Sequence, residues 1–198
     1  MADVQHGSLS DSDGIHEPKG CGSLTGGASD AGKVYVSDGA GSGAWTDHDS
    51  LSDFGEIYIA GGSTAFALAA ASAYTKLNPT GEWTGGEFQD VTLDATNGEI
   101  DLDTAGTYLV AFWSSFDTAA LVANVQYYFK YALDGTPGSR IVSVQKNTGN
   151  VDHLHVSAAG IVTATAGQTL SIHVAGDGTS SSTNITVTDA GLSVVRIA

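Results

Sequence analysis

From Phe54 to the C-terminus, apolar and aromatic residues return at every second position in short runs, and glycine, asparagine or aspartate cuts each run. This pattern constrains the chain more than any other, because period two is the side-chain period of a β-strand and not of a helix. Tyr108, Val110, Phe112 and Phe116 fall on one face of a first run, and Val125, Tyr127, Phe129, Tyr131 and Leu133 on one face of a second. Asp134-Gly135 closes the second run, and Asn97-Gly98 separates Phe88–Leu93 from Glu99–Leu102, both being strong hairpin signals. Further short runs occupy 56–59, 141–144, 151–156, 161–165, 170–174, 185–187 and 192–197. Turn signals recur about every 8 to 15 residues, which predicts a sandwich or jelly roll. Residues 65–74 are rich in alanine and compatible with a short helix or a strand.

Residues 1–50 follow another rule. Apolar residues are sparse, and stretches such as Ser8-Leu9-Ser10-Asp11-Ser12-Asp13-Gly14 cannot bury enough surface to offset their ordering entropy. Lys33-Val34-Tyr35-Val36 is an island of strand character, followed by the glycine-rich 38–43 and Trp45. The division expected is an extended N-terminal arm over 1–50 and an all-β head over 51–198.

Charge excludes several partners. The 22 acidic and 7 basic residues leave a net charge of −15, so no basic surface exists to release counterions from nucleic acid or to bind anionic lipid. Cys21 is the single cysteine, so no intrachain disulfide is expected. No basic region followed by an apolar run opens the sequence, and no stretch reaches the roughly 18 apolar residues of a membrane helix. Synthesis in a cytoplasm is the expectation.

Candidate chemistry is thin. His153 and His155 share one strand face at a spacing that can chelate zinc, with His173 or a symmetry mate as the third ligand. The reading preferred is a pair of polar residues on a solvent or subunit-contact face. Asp94, Glu99, Asp101 and Asp103 gather around one hairpin and could hold calcium, but solvated acidic loops explain them too. Asp11-Ser12-Asp13-Gly14 lacks the rest of a calcium loop. Gly39–Gly43 is followed by neither a helix nor a βαβ unit, which removes a phosphate cradle. No Gly-x-Ser-x-Gly elbow occurs. The expectation is a protein with no catalytic residues, no metal and no cofactor.

Gly106-Thr107-Tyr108-Leu109-Val110-Ala111-Phe112, an aromatic strand, Thr163-Ala164-Thr165-Ala166-Gly167-Gln168-Thr169-Leu170-Ser171-Ile172-His173-Val174 and the closing Leu192–Ile197 together resemble the TNF-like and complement-type globular head superfamily. The resemblance covers roughly 55–198. It implies a TNF-like jelly-roll sandwich that forms a homotrimer, with Tyr108, Phe112, Phe116, Tyr127, Phe129 and Tyr131 as core or as residues facing the three-fold axis. Ile15–Gly20 and Val34–Thr46 resemble attachment segments that precede β-rich heads in bacteriophage capsid-decoration and head-fibre proteins. That likeness implies a virion structural protein, anchored on the outer surface of the particle to the major capsid protein or another virion protein through Ile15, His16, Pro18, Val34, Tyr35, Val36 and Trp45. The rival expectation is a tail-fibre or adhesin tip that binds a host surface glycan.

Overall fold

The structure is a computed structural model that describes residues 33–37, 43–47, 53–68, 73–118, 123–147, 152–178 and 184–198. The chain divides into two units, Met1–Ser50 and Leu51–Ala198. In the first, β1 (Lys33–Ser37) and β2 (Gly43–Asp47) pair antiparallel as a hairpin, with Tyr35 opposite Trp45. Lys33–Val36, the island of strand character, is part of β1, and it finds its partner strand within the same unit. Ile15, His16, Pro18 and Cys21 lie outside the described residues, as do Asp11–Gly14 and 38–42.

The second unit is a jelly-roll sandwich of two antiparallel sheets. Its strands are β3 (Phe54–Ala60), β4 (Ala65–Ala67), β5 (Thr75–Lys76), β6 (Thr84–Gln89), β7 (Thr92–Asp94), β8 (Glu99–Leu102), β9 (Gly106–Thr118), β10 (Val125–Leu133), β11 (Thr136–Pro137), β12 (Val142–Lys146), β13 (His153–Ala164), β14 (Gln168–Gly176) and β15 (Asn184–Arg196). One sheet runs β13-β9-β15-β3-β6, with β4 also on β15; the other runs β11-β10-β14-β8-β7, with β12 on β10 and β5 on β14.

The period-two faces become the core. Tyr108, Val110, Phe112 and Phe116 point inward from β9 and meet Val125, Tyr127 and Phe129 from β10, all buried. The Phe116 ring lies 5.3 Å from Tyr127 in an edge arrangement and 5.4 Å from Phe129, a geometry aromatic quadrupoles favour. Asp134 and Gly135 both take positive φ, 47° and 70°, between Leu133 and Thr136, which pair. This is the two-residue hairpin loop whose twist matches its strands. The Asn97-Gly98 hairpin is wider: Asp94 pairs with Glu99 around a four-residue loop, and Gly98 supplies the positive φ of 65°.

Of the helix and the strand left open for 65–74, Ala65–Ala67 is strand. Three expectations are revised. Phe88–Leu93 is two strands in different sheets, because Asp90 turns the chain at φ 52°. The 151–156 and 161–165 runs are one strand, β13, continuous through Gly160. The 185–187 and 192–197 runs are likewise one strand, β15, with a bulge between Val187 and Asp189.

One end of the sandwich is clamped. Tyr108 donates to the Thr104 carbonyl at 2.6 Å and approaches Asp53 Oδ2 at 3.4 Å, while Arg196 reaches the same carboxylate at 3.7 Å. Burial, then the Asp53 charge, pushes the Tyr108 phenol up to about 12.

Candidate functional site

The six-stranded sheet turns an apolar surface outward, and the pairing register explains it. Outward positions of neighbouring strands line up in rows across the sheet. In one row Ile161 stands opposite Leu109, Leu109 opposite Val195, and Val195 opposite Phe54. These are four apolar side chains on four adjacent strands, with Ile161, Leu109 and Val195 exposed by 55%, 43% and 42%. The next row holds Ala159, Ala111, Ser193 and Glu56. The third holds Ser157, Trp113, Gly191 and Tyr58.

Trp113 lies flat across Gly191, where an added Cβ would come within 2.8 Å of the indole Cε2. The glycine is what lets a ring this large rest on the sheet while 45% of the residue stays exposed. Grooves flank the ring. One, of about 360 Å³, is lined by Glu56, Tyr58, Ala60, Asp189 and Ser193; the other, of about 240 Å³, by Ser115, His155 and Ser157. A contiguous apolar surface rimmed by polar residues is what an interaction site looks like.

Beyond Trp113 the same face becomes polar. His155 shares a 2.8 Å hydrogen bond with Ser115 through Nδ1, and His153 Nδ1 lies 2.7 Å from Asp117 Oδ1. The strand alternation does bring the two histidines together, with ring centres 4.7 Å apart. His173 does not join them. It is on β14 in the other sheet, buried between Lys76 and Lys130 by register, and burial, then the Lys76 charge, holds its pKa low.

The acidic hairpin does not converge either. Asp94 accepts from Asn97, Glu99 pairs with Lys76 at 3.0 Å, and Asp103 accepts from Thr92. Burial, followed by the charges of Asp94, Glu99 and Asp103, raises the Asp101 pKa. Among the described residues no group of three or more histidine, cysteine, aspartate or glutamate side chains gathers as a metal site.

Of the two places open to the aromatic residues, the core or a three-fold axis, five of the six take the core. Tyr108, Phe112, Phe116, Tyr127 and Phe129 are buried inside their own sandwich, so they have no surface left for a neighbouring copy; Tyr131 alone is only partly buried. The exposed apolar residues are their sequence neighbours, Leu109 and Trp113. The unbroken apolar run Tyr108-Leu109-Val110-Ala111-Phe112-Trp113 carried that signal, because a strand covered on both faces loses its polar alternation. Val34, Tyr35 and Val36 sit on β1 and Trp45 on β2, in the other unit.

No family model matches the sequence, and no curated protein matches it significantly. Among solved structures, the chain is similar to Eiger TNF from S. frugiperda, at 12% identity over 74% of this chain and 94% of that one, with a TM-score of 0.47. It is also similar to the globular domain of zebrafish complement 1qA, at 13% identity over 74% and 98%, with a TM-score of 0.49.

Proposed function

We propose that this chain is a non-catalytic structural protein of a bacteriophage virion. Residues 51–198 associate into a homotrimeric head, and residues 1–50 attach that head to the outer surface of the particle as a capsid decoration or head fibre. The observation that carries the self-association is the row of exposed Ile161, Leu109 and Val195, continued by the half-buried Phe54, with Trp113 above it. A closed three-fold ring needs two different patches in contact. The second is available at the sandwich edge, where Ile141 is 56% exposed beside a slot of about 370 Å³ formed by Tyr131, Arg140, Val142 and Ala158. The attachment role rests on the likeness of residues 15–20 and 34–46 to phage attachment segments.

The test is sedimentation of intact and arm-deleted (1–50 removed) protein, alone and with undecorated particles. The reading requires a trimer in both forms and co-sedimentation of the intact form alone. A monomer, or full occupancy by the armless head, overturns it. Trp113 between two grooves favours one rival: a tail-fibre or adhesin tip that stacks a host glycan on the indole. A monomer whose Trp113 indole resonance shifts on sugar titration would establish that rival.

A further inference from the structure

The geometry points to a binding site for one borderline divalent transition-metal ion, such as Zn²⁺ or Cu²⁺, held by the imidazoles of His153 and His155 on the outer face of β13. Three observations carry it. First, both rings use Nδ1 for a fixed partner, His153 the Asp117 carboxylate at 2.7 Å and His155 the Ser115 hydroxyl at 2.8 Å. A ring that donates through Nδ1 presents the lone pair of Nε2, and a carboxylate behind a histidine is the usual support of a metal ligand. The serine hydroxyl rotates freely enough to accept from His155. Second, the ring centres are 4.7 Å apart with their planes at 80°. Two imidazoles bound to one ion at about 2.0–2.1 Å place their centres roughly 4.5–5.2 Å apart, for ligand angles from square to tetrahedral. Third, both residues are exposed on one face at the edge of the sheet, so an ion reaches them without any opening of the fold.

Imidazole nitrogen selects zinc, copper and nickel over calcium and magnesium, which prefer oxygen. Two protein ligands leave the remaining positions to water, so the site is an open one and does not hold the fold together. His173, on the other sheet, has no part in it.

The test is calorimetric titration of the full chain with Zn²⁺ at neutral pH, beside His153→Ala, His155→Ala and the double variant. The chain has 6 histidines, and the double variant separates this pair from the other four. The expected result is one ion per chain, at least tenfold weaker binding in each single variant, and no remaining tight event in the double variant. Asp117 is a positioning residue: Asp117→Asn is expected to weaken binding about tenfold while the Cu²⁺ complex keeps its signature. That signature, two imidazole nitrogens in the electron paramagnetic resonance of the intact chain, requires no variant. Zinc binding that survives unchanged in the double variant, or an intact-chain copper spectrum without two imidazole nitrogens, overturns the site.

Discussion

Both sheets of the sandwich contribute buried residues to the core and differ in what they show to the outside. The seven-stranded sheet faces outward with Lys76 paired to Glu99, Lys130 over the Tyr74 ring at 4.5 Å, Asp101 and Gln126. The six-stranded sheet faces outward with Ile161, Leu109, Val195, Tyr58 and Trp113. Both belong to one chain of net charge −15, so the difference is one of placement and not of composition. The first face carries an ion pair and other polar side chains, with His173 buried among them. The second, left in water, would keep several large apolar side chains hydrated, a cost that the proposed self-association would relieve.

The largest effect that can break this contrast is a charge at the centre of the apolar row. Leu109→Asp places a carboxylate against Ile161 and Val195, and in an interface it would be buried without a partner. Sedimentation equilibrium is expected to show loss of the trimer, with the β circular dichroism retained. Thr92→Lys, a charge on the outer strand β7 of the other sheet, is expected to leave the trimer intact. If Leu109→Asp sediments as the parent does, the face is not an interface.

Next is the core beneath both faces. Phe116→Ala removes a ring packed on Tyr127 and Phe129 and is expected to cost about 3–5 kcal/mol in denaturant unfolding. Trp113→Ala, three positions earlier on the same strand but facing out, is expected to spare an isolated head and weaken self-association. Equal losses of unfolding stability in the two variants under dissociating conditions would erase the distinction between inward and outward residues of β9.

A smaller effect tests the Trp113 seat. Gly191→Ala introduces a Cβ that the indole must avoid, so the ring swings off the sheet. The expectation is a changed tryptophan emission spectrum with unfolding stability altered by less than about 1 kcal/mol, because the ring that gives way is half-exposed. Unchanged emission would show that the ring does not rest on that glycine.

The smallest concerns pH and the polar sheet. His173 is held below its ordinary pKa by burial and by Lys76, against the opposing charge of Glu99, and Lys130 stands across from it on β10. The unfolded chain takes up a proton near the unperturbed value of about 6.5, where the folded chain does not. Its contribution is therefore full above that pH, and stability falls as pH drops below it toward the folded pKa. His173→Gln is expected to flatten this part of the stability-pH profile, read as denaturation midpoints from pH 7.5 to 5. A profile as steep as the parent's would assign the acid sensitivity elsewhere.

Much of this was legible in sequence, and the losses have identifiable causes. Period two placed the inward residues of β9 and β10 correctly, and Asp134-Gly135 marked its own turn. The strand ends were misread where glycine stands inside a strand. Gly160 continues β13 because Tyr131 and Arg140 pack over it, at 3.3 and 3.4 Å from where a Cβ would lie, and Gly191 continues β15 beneath Trp113. Those glycines are space for a neighbour, and only tertiary structure says so. The sheet switch at Asp90 was hidden because aspartate, though enriched at positive φ, adopts it in only a minority of its positions, so a single Asp inside an apolar run marks a turn weakly. The apolar outer face was overlooked because the aromatic residues drew the inference inward, to the core they do fill.

The sheet order has a consequence in time. Phe54 at the start of β3 pairs with Val195 near the end of β15, and β15 is itself the strip on which β9 and β3 both lean. Until β15 has emerged from the ribosome, β3 has no neighbour on that side and β9 has only β13. The sheet that carries the sticky face is thus completed last, and contacts so distant along the chain make for slow closure. During synthesis the nascent head presents both an unpaired edge and an uncovered apolar row, a window in which a crowded polysome can join copies wrongly before they have folded.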